Sequence, residues 1–96
     1  MTIVDMFNLG NKFMTEGNMP LAVNMWQEIL KSNPEYGPAH MNMAHFLRTQ
    51  NNPVAEREAL QHFLDCPLTG RTIDMLQNVK ARIAEIENQL KPQAPK

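Results

Sequence analysis

The sequence predicts an all-α protein: two helical hairpins packed side by side, followed by a long C-terminal helix. Three observations predict it. Apolar residues recur at steps of three and four, the spacing of one helix face. Glycine, asparagine and proline interrupt that pattern at regular intervals. The chain also repeats itself at a period of about 34 residues, the length of one helix–turn–helix unit. Leu9-Gly10 aligns with Met43-Ala44, Phe13 with Leu47, and Gly17-Asn18 with Asn51-Asn52. Past that turn the register slips by one residue, so Ala22 aligns with Ala55 and Pro34 with Pro67. No stretch alternates with period two for long enough to make a strand.

The first helix is expected from about Ile3 to Glu16, with Met6, Leu9, Phe13 and Met14 along its apolar stripe. Gly17-Asn18 ends it, because glycine adopts the left-handed backbone after a helix C-terminus without steric cost. Pro20 falls in the first turn of the second helix, where no N–H is needed. That helix runs to about Ser32, turns Ala22, Met25, Trp26, Ile29 and Leu30 inward, and stops at Pro34. The cycle then restarts. Pro38 opens a helix to about Thr49 with Met43, Ala44, Phe46 and Leu47 as its apolar side. Asn51-Asn52 is the turn, and Pro53 opens a fourth helix lined by Ala55, Ala59, Leu60, Phe63 and Leu64 before Pro67.

After a linker at Pro67-Leu68-Thr69-Gly70, Thr72 is the expected N-cap of a fifth helix, with Asp74 in its first turn. Leu76, Val79, Ile83, Ile86 and Leu90 recur there at steps of three, four, three and four. That is a heptad-like seam, supported by Glu87 and Lys91 as an i,i+4 pair and closed by Pro92. Residues 92–96 read as a disordered tail.

Composition narrows the function. Ninety-six residues suffice for one small domain, without room for a catalytic domain beside a binding domain. Nine Lys+Arg against ten Asp+Glu leave a formal net charge of −1. Lys12, Lys31, Arg48, Arg57 and Arg71 are scattered, so a phosphate-binding surface for nucleic acid is not expected. A single cysteine, Cys66, rules out a disulfide within the chain and favours a reducing compartment. Met1 to Asp5 lacks the basic start and apolar run of a secretory signal, and no apolar stretch is long enough to span a membrane. A cytoplasmic protein is expected.

The pattern Met6-x2-Leu9-Gly10-x2-Phe13, then Gly17, Ala22-x3-Trp26 and Pro34, resembles a tetratricopeptide repeat (TPR). Small Gly10 and Ala22 allow two helices to approach, and large Phe13 and Trp26 fill the space beside them. The second repeat, His40-x2-Met43-Ala44-x2-Leu47 to Ala55-x3-Ala59 and Pro67, is similar but weaker: His40 and Ala59 replace aromatic residues. The resemblance implies an α–α superhelix with two repeats over 1–67 (about 3–34 and 37–67) and a capping helix over 71–91. It further implies a non-enzymatic protein-interaction module whose concave groove accepts a peptide or helical segment of a partner.

Carried over residue by residue, the groove-facing positions are Phe7, Asn11, Met14, Met41, Asn42, His45, Arg48 and Thr49. Some members of the family clamp the C-terminal carboxylate of heat-shock chaperones with two lysines, two asparagines and an arginine. Asn11 and Asn42 match the asparagines, but Phe7 replaces a lysine and Met75 or Leu76 stands where the arginine should be. A carboxylate facing an apolar wall loses its charge-assisted bonds, which disfavours chaperone tails. Asn11 and Asn42 are expected instead to bond a partner's backbone, their removal leaving the melting temperature nearly unchanged. Phe7, Met14 and Met41 make an adaptable apolar floor.

Other constellations are weaker. His40 and His45 lie five apart, which on a helix points them away from each other, so neither they nor His62 suggest a metal site. Cys66 has no orienting carboxylate or strand–turn–helix context and reads as a small buried hydrophobe. No cofactor and no catalytic residue are expected. The C-terminal seam has two uses. It folds back as a cap, or it pairs with a second copy in a homodimer through Ile83, Ile86 and Leu90, Ile86 and Leu90 being expected to project past the stack into water. Self-assembly through this helix is the alternative to partner binding.

Overall fold

The computed structural model describes residues 1–67 and 73–90, without the side chains of Ile73 and Asp74. Among the described residues five helices follow one another: α1 Ile3–Thr15, α2 Met19–Ser32, α3 Gly37–Thr49, α4 Pro53–Asp65 and α5 Ile73–Leu90. No strand occurs among the described residues, and none of their helices is long and apolar enough to cross a membrane. The linker at Leu68 to Gly70, the cap at Thr72, the Glu87–Lys91 pair and the 92–96 tail fall wholly or partly outside the described residues. Helices α1 and α2 pack as one hairpin, α3 and α4 as a second; α2 packs on α3 and α4 on α5.

Both hairpins turn by the same device. After α1, the N–H of Gly17 donates to Met14 O at 3.0 Å and that of Asn18 to Phe13 O at 2.8 Å. After α3, Asn51 donates to Arg48 O and Asn52 to Leu47 O, both at 3.1 Å. These paired bonds cap the last carbonyls of a helix when the chain passes through left-handed backbone. Gly17 does so at φ 81° and Asn51 at φ 53°. Asparagine is the non-glycine residue that best tolerates this region. The internal repeat thus reappears as repeated backbone geometry. At the start of α1, Thr2 and Asp5 form a capping box that the sequence reading did not note.

Two core clusters result. The first gathers Ala22, Trp26, Ile29 and Ala39, all fully buried, with Met6, Phe13, Met43 and Phe46 against them. Met25 and Leu30, expected inward, are half-buried, and Met14 is exposed. Gly10 explains how α1 comes so close to α2. A Cβ built on it would lie 2.7 Å from Trp26 Nε1 and 3.3 Å from Met25 Cβ. The second cluster holds Ala44, Ala59, Leu60, Phe63, Val79 and Ile86. Cys66 is buried, its Sγ–H directed to His62 O at 3.2 Å.

The expectation that Ile86 stays wet is overturned. Ile86 is 0% exposed, inside the second cluster, whereas Leu90 is 39% exposed and Ile83 half-buried. The reason is that α4 covers α5 as far as Ile86, through Ala59, Leu60 and Phe63, in a rotation held by a contact the sequence reading missed. Arg82 donates from Nε to Glu56 Oε2 at 2.8 Å and from a terminal nitrogen to Glu56 Oε1 at 2.9 Å. A further bond reaches Glu85 at 3.1 Å. Glu56 is 3% exposed, on the inner side of α4. A two-pronged bond of this kind holds α5 with Val79 and Ile86 turned onto α4.

Two outcomes follow from these contacts. Gly10→Ala should lower stability by about 1–3 kcal/mol, because the indole is rigid and enclosed; an unchanged urea midpoint would contradict the close approach. Arg82→Met leaves the buried Glu56 carboxylate alone and should cost about 3 kcal/mol or more. Glu56→Gln should cost less, since Arg82 keeps Glu85. Denaturation of both variants, and of their combination, checks the order.

Candidate functional site

Helix α3 has three differently used faces. Ala39, Met43 and Phe46 turn to the first cluster, and Ala44, Leu47 and the flank of Met41 to the second. The remaining stripe, Met41, Asn42, His45, Arg48 and Thr49, follows helical spacing and is left half-buried or open. Three cavities meet along it. One of about 520 Å³ lies toward α1 and the α2–α3 connection, between Phe7, Tyr36, Met41, Asn42, His45 and Met75 among others. A second of about 440 Å³ lies toward α5, lined by Met41, His45, Arg48, Leu60, Met75 and the Glu56–Arg82 pair. A third of about 410 Å³ lies between Met14, Met19, Asn42, His45, Phe46 and Thr49. His45 borders all three.

Seven of the eight residues expected to line a groove therefore border these cavities: Phe7, Met14, Met41, Asn42, His45, Arg48 and Thr49. The eighth, Asn11, is joined to them. Asn42 Nδ2 donates to Asn11 Oδ1 at 2.7 Å, linking α3 to α1 across the floor. This corrects the expectation that the two asparagines serve only a partner. They also serve the fold, although Asn11 Nδ2 and Asn42 Oδ1 retain unused capacity among the described residues. Thr49 directs its hydroxyl to Phe46 O at 2.6 Å, so its methyl is what it adds to the cavity wall. Phe7 meets the Tyr36 ring edge-on at 5.5 Å between centroids, closing one end.

The sequence reading missed Tyr36 and the Glu56–Arg82 pair; Met75, weighed there only as the residue in place of a clamp arginine, lines two of the cavities. A signal for the pair existed. Glu56 shares the stripe of Leu60 and Phe63, and Arg82 that of Val79 and Ile86. Opposite charges on the buried stripes of successive helices mark a buried ion pair. The hydrogen bond to Glu56 is the main cause that holds the Arg82 guanidinium above its ordinary pKa, against the opposing effect of burial. A folded-state pKa raised from an already high value keeps this stabilisation in place at neutral pH and loses it as pH rises past that value.

His40 and His62 lie elsewhere. Their rings stack 5.3 Å apart, and a His40 ring nitrogen bonds Pro34 O at 2.8 Å. Among the described residues no three His, Cys, Asp or Glu side chains gather as metal ligands. What the α3 face offers chemically is apolar surface with a few amide and imidazole groups.

Asn42→Ala should lower unfolding stability by about 0.5–1.5 kcal/mol through loss of the bond to Asn11. Asn11→Ala should match it, and the double variant should cost scarcely more than either. Additive losses in chemical denaturation would show that the two amides act separately.

No protein-family model matches the chain, and a search of curated proteins finds no significant match.

Proposed function

We propose that this chain is a non-enzymatic protein-interaction module of the tetratricopeptide kind, holding a peptide or helical segment of a partner protein against the α3 face. One observation carries the reading. A stripe of α3 that the two cores leave half-buried or open is bordered by three confluent cavities, apolar in the main and dotted with amides. Such a surface suits a chain segment better than a small polar substrate. The two turns of identical bonding, one after α1 and one after α3, support the repeat assignment. Met75, at the α5 wall of the first two cavities, supports excluding a chaperone-tail carboxylate, because it offers no charge there. A cytoplasmic location fits the lone buried thiol.

Self-assembly through Ile83, Ile86 and Leu90 is less well supported. Ile86 is spent on the chain's own core, and Leu90 alone of the three remains open. A narrow patch of that size falls short of a stable interface.

The decisive variant is His45→Trp, at an exposed position bordering all three cavities. A partner segment mapped by pull-down and proteolysis should bind it at least about tenfold more weakly than the parent, a loss equal to one well-placed contact. The thermal midpoint should not move. Equal affinity for both proteins would refute the assignment.

A further inference from the structure

The stripe of α3 carries one charge at each end. Glu35 borders the first cavity, just before α3 begins at Gly37, and Arg48 borders the second in the last turn. Both are exposed, and neither makes an ion pair among the described residues. The other two charged residues bordering these cavities, Glu56 and Arg82, bind each other. Glu35 and Arg48 therefore face the groove as an uncompensated acid and base. Helical rise puts Gly37 and Arg48 about 17 Å apart.

The floor between them bears on the occupant's conformation. A helix satisfies its own backbone and needs only an apolar bed. An extended segment brings unpaired N–H and C=O groups that must be met. Here the Asn33 and Asn42 amides and the His45 ring stand among Met41, Tyr36 and Met75. Those amides would be buried unsatisfied under a helix and would be satisfied by an extended chain.

Resting on the interaction-module reading above, we propose that the groove takes an extended partner segment with a basic side chain at the Glu35 end and an acidic one at the Arg48 end. The segment is apolar between these charges, which stand about five residues apart at the rise of a strand. The charge order sets the direction in which the segment lies.

The test is selection from a phage-displayed library of random peptides of about 12 residues, longer than the groove. The full chain is the bait, and the His45→Trp chain serves for counter-selection. Recovered peptides should carry a basic and an acidic residue about five positions apart. Their affinity should fall about tenfold for Arg48→Glu and return when the peptide's acid is exchanged for lysine. Glu35→Lys should act likewise on the basic residue. Both positions are exposed, and circular dichroism verifies that the variants stay folded. Peptides that need His45 yet ignore both charge reversals would overturn the charge assignment and leave the interaction module standing. Charges about ten or more positions apart would overturn the extended form in favour of a helix. Recovery of no peptide that distinguishes parent from His45→Trp would overturn both.

Discussion

The orientation of α5 depends on the bond between Glu56 and Arg82, and with it the shape of the groove. Hydrophobic burial alone is non-directional, and a helix bearing Val79, Ile83, Ile86 and Leu90 could settle on α4 over a range of rotations. A guanidinium fork on a carboxylate tolerates only a narrow one. Once Arg82 reaches Glu56, Ile86 enters the core, Leu90 is left at the rim and Met75 swings to the cavity wall. Removing two charges from water is costly, and a well-packed apolar pair could be as stable. The ion pair is best understood as a device of register.

Helix α3 is the structural spine. Among the described residues it is the one element that supplies side chains to both core clusters, and its third face is left half-buried or open. Small residues make this crowding possible. Gly10 admits the Trp26 indole, while Ala22, Ala39, Ala44 and Ala59 lie where helices press together. Close packing leaves no latitude for added volume at these positions. It also fixes the groove floor, because the backbone of α3 is clamped from two sides.

The Asn11–Asn42 bond links these roles. It ties α1 to α3 at the floor, yet each amide keeps one group unspent. A surface of this kind is preorganised: its polar atoms are oriented before any partner arrives, which reduces the entropy lost on binding. The soft components, Met14, Met41 and Met75, border the same cavities and can adjust to side chains of different shape. Rigid amides on a clamped helix with methionines around them suit recognition of a chain segment more than catalysis.

Helix boundaries, turn positions and the burial of Trp26 were legible in the sequence because they follow from local rules. Prolines at helix starts, Gly17 and Asn51 at turns, and apolar residues at helical spacing act within a few residues of themselves. The stripe of α3 was expected from the tetratricopeptide resemblance, carried over residue by residue. What the sequence reading did not reach was how particular side chains of different helices pair. Asn11 was expected to await a partner but meets Asn42, and Ile86 was expected to face water but faces Phe63 and Val79 in one cluster. Glu56 was not singled out in the sequence, yet Arg82 meets it from α5. Periodicity states which residues share a face of a helix, whereas the rotation of that helix against its neighbour is decided by packing and by directional bonds. Those depend on which side chains meet across the interface, and no local pattern encodes that meeting.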